Sequence, residues 1–336
     1  MLRTIILFFV ASCTMGTLKR GGLDSYLYDH KKDYTLKELN ELAPQIIQTS
    51  FREPMVGKQI QLFNQGQKPL KRVGLVIFES EIQPTREGLS KNNFVYLNEA
   101  GKQLLTENLL SIFEESMRGL APEIEFLSGK SFISSKSFTS YGVAEDDFVV
   151  GQRNQLSWDD IFYLPSGKKT TMTTILNPRG MRDMSFLLVP AFDLMGGPKW
   201  SEHNKHFLND VAKEFNLDAV ILAMSQLKWT AAHIDKHSGE NIPEELSIKL
   251  KTAILVPLSR YHDRLEKIGV KDKPNITVCY RNYESDIKFP ARISVPENDQ
   301  TFETITNEIL LPAFKTYKDL AQMTVLQMSN DLKATW

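Results

Sequence analysis

One stretch constrains this fold more than any other. His206-Phe-Leu-Asn-Asp-Val-Ala-Lys-Glu-Phe215 has helical spacing, and Leu217-Asp-Ala-Val-Ile-Leu-Ala-Met-Ser-Gln-Leu-Lys-Trp229 reads as the strongest strand of the second half. Only Asn216 separates them, a residue that tolerates the left-handed backbone at which helices end. The chain must pass directly from a helix into a buried strand, which places a helix against a sheet.

The rest of the periodicity extends that picture. Arg72-Val-Gly-Leu-Val-Ile-Phe78 is too continuously apolar for a half-exposed strand and reads as a central one. Residues 99 to 117 place Leu104 or Leu105, Leu109, Ile112 or Phe113 and Met117 at helical spacing, an amphipathic helix covering the sheet. Glu123 to Leu127 reads as a short strand, and Ser185 to Phe192 as another. Ser247 to Val256 alternates polar and apolar residues, the pattern of an antiparallel strand with one wet face. Asn275 to Tyr283 adds a strand. Thr301 to Met328 carries Phe302, Ile305, Ile309, Ala313, Tyr317, Leu320 and Thr324 on one side of a helix, with a kink expected at Pro312. Residues 128 to 184 are dominated by Ser, Thr, Gly and Lys with poor periodicity; a helical turn is expected at Ser157 to Tyr163 and the remainder as an insertion on the core. The fold class is therefore α/β (α+β), a mixed parallel and antiparallel sheet with helices packed on it and a long insertion at about 128–184.

The run Ala212, Lys213, Glu214, Phe215, Leu217, Asp218, Ala219 and Val220 resembles the helix-to-strand segment of the CsgG, LpoB and TolB amino-terminal group of envelope proteins. Val73 to Phe78 would match that group's opening strand and Ser247 to Val256 its next antiparallel strand. The resemblance implies a periplasmic domain that binds other envelope proteins. It does not imply a pore, because no alternating membrane hairpins of about nine to eleven residues are evident.

The amino terminus, MLRTIILFFVASCTMG, has the tripartite layout of an export signal: Arg3, the apolar run Ile5 to Val10, and the small pair Ala11-Ser12 before Cys13. That apolar run is on the order of 10 Å long as a helix, about a third of a bilayer core, so it cannot span. Val10-Ala11-Ser12-Cys13 resembles the lipobox of bacterial lipoproteins, which implies cleavage after residue 12 and attachment of acyl chains, palmitate among them, at Cys13. Thr14 in place of Asp implies an outer-membrane address. The competing reading is an ordinary cleaved leader with an accidental cysteine. Residues 1–12 are thus expected as signal peptide, 13–70 as lipid anchor and tether with one short helix, and 71–330 as a single periplasmic α/β domain. In the tether, Thr35-Leu-Lys-Glu38 fits a capping box, Leu36, Leu39 and Leu42 share a face, Pro44 weakens continuation, and Phe51 to Pro69 reads as a loop.

Composition removes several classes of partner. Forty basic against forty-one acidic residues leave a net charge of −1, so no polyelectrolyte footprint for nucleic acid or anionic lipid exists, and membrane contact is expected from the anchor alone. Cys13 and Cys279 are the only two cysteines. Acylation of Cys13 would leave Cys279 a free strand residue, so stability is expected from packing.

Motifs that carry chemistry are few. His203 with His206, and His233 with His237, have metal-ligand spacing, but solvated surface histidines are the preferred reading and no metal or cofactor is expected. Gly129-Lys130-Ser131 resembles the end of a phosphate-binding loop, yet Ile124 stands where the required first glycine would be. Glu79 and Glu81 are expected not to face each other. Trp200 and Trp229 are candidate partner-binding residues, with core or strand-edge packing the preferred reading for Trp229. The expected function is a non-enzymatic adaptor or regulator of an envelope protein complex. The alternatives are a subunit of an oligomeric secretion assembly and a hydrolase using residues 128 to 184 as a lid.

Overall fold

The computed structural model describes residues 27–52, 70–83, 99–141, 151–155, 171–181, 202–230, 232–234, 239–257, 277–290 and 310–333. Their elements are α1 (Leu36–Ile46), β1 (Ile47–Arg52), β2 (Arg72–Gln83), α2 (Glu99–Leu120), β3 (Glu125–Leu127), a 3-10 turn (Gly129–Phe132), α3 (Lys136–Tyr141), β4 (Gly151–Gln155), β5 (Thr171–Leu176), α4 (Glu202–Glu214), β6 (Ala219–Thr230), β7 (His233–Ile234), β8 (Asn241–Ile242), β9 (Glu245–Pro257), β10 (Thr277–Pro290) and α5 (Leu311–Lys333).

Eight strands form one mixed sheet in the order β1-β10-β9-β6-β2-β5-β4, with β3 also paired to β2, while β7 and β8 pair separately. β2 runs parallel to β3 and to β6; the remaining pairs of the large sheet are antiparallel. The expected central position of the Val73 to Phe78 strand follows from the register, since Val73 pairs with Ala219 on one side and Phe126 on the other. Asn216 has φ +52 and Leu217 N–H closes the helix end onto the Ala212 carbonyl at 2.7 Å, the left-handed stop expected between α4 and β6. Asp218 then accepts from the backbone N–H groups of Lys71 (2.7 Å) and Arg72 (3.0 Å), tying the starts of the two parallel strands together.

Two apolar layers enclose the sheet. On one face α5, α2 and α1 bury Phe113, Tyr317, Leu320 and Leu39 against Leu75, Phe78, Ile221 and Ile254. On the other face the 3-10 turn, α3 and α4 bury Phe132, Phe138, Phe207 and Val211 against Ile77, Val220, Leu222 and Leu255. A bulge between Leu75 and Ile77 on β2 makes this division uneven. Val73 and Leu75 share one layer, Val76 and Ile77 belong to the other, and Phe78 returns to the first.

Several expectations change here. Residues 27–52 are fixed to the body: Tyr28, Leu39, Ala43 and Ile47 lie in the core and β1 pairs with β10. Tyr28 donates a 2.5 Å hydrogen bond to Asp319 on α5, and Lys315 donates to the carbonyls of His30 and Lys32. Leu36 stands exposed and does not share the buried face of Leu39. Residues 53–69, most of the expected loop, lie outside the described residues. Residues 128 to 184 carry more regular structure than their composition suggests: the 3-10 turn and α3 belong to the second apolar layer and β5 joins the sheet. Periodicity misses the 3-10 turn and α3 because each contributes a single large apolar side chain, Phe132 and Phe138, to the core. The expected turn at 157–163 and strand at 185–192 lie outside the described residues. β9 has no wet face along most of its length, because Lys249 and Lys251 are half-buried against Glu284 at 2.9 and 3.6 Å. Pro312 stands in the first turn of α5 as described, so any bend there lies outside the described residues, as do Phe302, Ile305 and Ile309. Ala313, Tyr317, Leu320 and Thr324 are buried as their spacing implies.

The capping box of α1 is complete: Glu38 N–H donates to Thr35 Oγ1 at 3.3 Å and Thr35 N–H to Glu38 Oε2 at 2.9 Å. The Lys32 ammonium first, then the Thr35 amide and hydroxyl, hold the Glu38 carboxyl down at about 2. A depressed folded-state value means that the cap is complete above about pH 4.5 and weakens only as pH falls toward 2. Thr35→Ala should cost about 1 kcal/mol in urea unfolding at neutral pH, and less as the pH falls toward 2. An equal cost at pH 7 and pH 2 would contradict this account of the cap.

Candidate functional site

The site grows out of an interruption in the pairing of β2. On one edge β3 pairs with Arg72 to Gly74 and β5 pairs with Ser80 to Ile82. Between them the 3-10 turn approaches that edge. A Cβ on Gly129 would displace the end of the Met181 side chain and come within 3.1 Å of the Leu75 carbonyl, so the glycine lets the turn sit close against β2. Gly74 serves the same packing from below, where a Cβ would lie 2.5 Å from Phe132 Cζ. Phe132 stacks on Phe138 at 5.3 Å and meets Phe215 edge-on at 4.6 Å. These contacts fix the turn's position.

Ser128 caps the turn. Its hydroxyl accepts from the Lys130 amide at 3.4 Å and donates to Glu114 Oε1 on α2 at 2.5 Å. The second wall follows β5, where Asn177-Pro178-Arg179-Gly180 turns with Met181 N–H on the Pro178 carbonyl at 3.1 Å and Gly180 at φ +79. Glu107 on α2 holds the two walls together. Its Oε2 accepts from Lys130 Nζ at 3.1 Å and its Oε1 from the Arg179 backbone N–H at 2.5 Å. The result is an open cleft of about 410 Å³ lined by Gln103, Leu104, Glu107, Lys130 and Arg179. Leu104 is 52 % exposed beside it, and Gln103 Nε2 is sheltered from solvent without a hydrogen-bond partner.

A second polar region lies on the sheet itself. Glu79 and Glu81 lie on the same face as Ile77, which corrects the expectation that they do not face each other: residues two apart on a strand share a face, and the bulge before Ile77 sets which face it is. Both are buried, and Gln226 on β6 donates to Glu81. Farther across, Ser247 donates to Asp286 at 2.7 Å, and Glu284 is held below its usual range: burial opposes ionisation, but Lys249 and Lys251 outweigh it. Gln226, Ser247, Lys249 and Lys251 thus pair with Glu81, Asp286 and Glu284 across the sheet.

The residues singled out from sequence do not converge here. Cys13, Trp200 and His237 lie outside the described residues. Trp229 stands in β6 opposite Leu246, His233 in β7 opposite Ile242, and His203 and His206 one turn apart on α4, with His206 exposed. Among the described residues no group of three or more His, Cys, Asp or Glu side chains could hold a metal ion. Gln103, Glu107 and Arg179 escaped sequence reasoning, although Lys130 belongs to the Gly129-Lys130-Ser131 turn and Asn177-Pro178 is a turn signal.

No protein-family model matches the chain, and no curated protein matches it. Among solved structures the chain is similar to one described as "Structure of the Evf virulence factor", at 9% identity and a TM-score of 0.21, over 75% of this chain and 80% of that one. So distant a likeness carries no argument about fold or function.

Proposed function

We propose that this chain is an outer-membrane lipoprotein, held by acyl chains on Cys13 and facing the periplasm, that serves as a non-enzymatic adaptor or regulator of an envelope protein complex. The observation that carries this reading is the Arg3 to Cys13 leader, with its short apolar run and Val10-Ala11-Ser12-Cys13 ending. Two or three acyl chains suffice for stable anchoring, since one alone binds only marginally. No helix among the described residues is long and apolar enough to cross a membrane.

The fold adds a physical reason why such an anchor would matter. From Leu27 onward the chain is fastened to the body by Tyr28 and Lys315, so at most the stretch from Cys13 to Leu27 separates the proposed anchor from the body. Fully extended, that stretch reaches at most about 50 Å. An anchor at that distance or less keeps the cleft close to one surface and raises its effective concentration toward partners there without any new contact.

The test is the intact mass of the protein isolated from bacterial membranes. The expected product begins at Cys13 and carries acyl mass, and Cys13→Ser should lose that mass and leave the membrane fraction. A native product that retains residues 1–12, or an unmodified Cys13, would remove the anchor and the location with it.

A further inference from the structure

The geometry points to a ligand for the cleft between α2, the Gly129–Phe132 turn and the Arg179 turn: the terminal carboxylate of a peptide whose last side chain is apolar. It rests on the adaptor reading in one respect only, that the ligand belongs to another protein.

Charge comes first. Glu107 answers Lys130, and no carboxylate among the described residues pairs with the Arg179 guanidinium, so the lining carries one positive charge in excess. That balance suits a monoanion. A guanidinium offers a planar fork that matches the two oxygens of a carboxylate, which a single ammonium does not. Glu107 is already committed to Lys130 Nζ and the Arg179 amide, so it belongs to the frame, and its charge opposes a dianion.

The amide of Gln103 supplies the second clue. Its Nε2 is hidden from solvent with no acceptor, and buried donors in folded proteins nearly always have one. Gln103 lines the cleft, so a turn of its side chain toward the opening would bring this amide to a carboxylate held at Arg179. Leu104 supplies the third, because an exposed leucine at the rim of a charged cleft gives an apolar side chain somewhere to lie. The frame is also preformed: Gly129 pressed against Leu75, Gly180 in the left-handed region and Glu107 spanning both turns leave little to order on binding.

The full-length Cys13→Ser chain, followed by the side-chain amide signal of Gln103 in nitrogen-15 spectra, tests this with three probes. N-acetyl-leucine should bind saturably with a dissociation constant on the order of 1 mM, as befits so small a ligand. N-acetyl-leucinamide and inorganic phosphate should each bind at least about tenfold more weakly, since one lacks the charge and the other the apolar arm. Arg179→Gln should lose about tenfold for N-acetyl-leucine with an unchanged unfolding midpoint, because Arg179 is exposed. Equal binding of the amide or of phosphate, undiminished binding in Arg179→Gln, or no saturation by about 20 mM would each overturn the inference. Acylated Cys13 with an unresponsive cleft removes the ligand and keeps the anchor. A responsive cleft with unmodified Cys13 does the reverse.

Discussion

Replacing Phe132 by alanine should lower the free energy of unfolding by about 3–5 kcal/mol, read as a shift of the urea midpoint at constant slope. The side chain has no exposure, stacks on Phe138, meets Phe215 edge-on and rests against the bare face of Gly74. Little can collapse into the space it leaves, because β2 lies beneath and α3 and α4 hold the sides. Phe132→Leu, which keeps most of the volume, should cost less than half as much. The same substitution has a local readout. Lys130 is placed by this turn, so Phe132→Ala should also weaken the Lys130 to Glu107 ion pair and broaden the Gln103 amide signal before global unfolding begins. A variant as stable as the parent would mean that the turn is not part of the core.

The second large effect is expected at the far end of α5. Asp331 accepts from Tyr283 Oη at 2.5 Å and from the Arg281 guanidinium, both on β10. Tyr283 is almost wholly buried and burial drives its phenol well above the ordinary range, with Arg281 opposing. Asp331→Ala strands the phenol and removes the acid from the half-buried guanidinium. The cost should be about 2 kcal/mol, below that of a fully buried pair because solvent reaches both charges. A cycle with Tyr283→Phe separates the two: a coupling energy near zero would show that Arg281 alone uses the acid.

Much of the architecture could be read from the sequence because it rests on long periodic elements. β2, β6 and α2 are each signalled by many apolar residues, β10 only in its first half, up to Tyr283, and the stop at Asn216 by a single residue whose backbone preference is unusual. The errors have equally local causes. The bulge at Leu75 to Ile77 adds one residue to a continuous apolar run, where no alternation exists to betray it, and it decides which face everything after it takes; that Glu79 and Glu81 share that face follows from the strand period alone. β9 alternates like a half-wet strand, but Lys249 and Lys251 are sheltered and paired across to Glu284 on β10, a partner invisible within either strand alone. The cleft was hardest to see. Residues 103, 107, 130 and 179 come from three parts of the chain, and what joins them is two short turns fixed by aromatic packing and one glutamate.

The fastening of Tyr28 to Asp319 joins residues 291 positions apart in the chain. A force applied ahead of Leu27 therefore enters the molecule where α5 lies, near the β1 and β10 border of the sheet. It is resisted by a phenol, an ammonium and a helix before any strand is sheared. From β1 to β2, beside which the cleft lies, there are four strand spacings, about 19 Å, so tension on the amino terminus enters well away from that edge and reaches the cleft through the packing of α5 on α2.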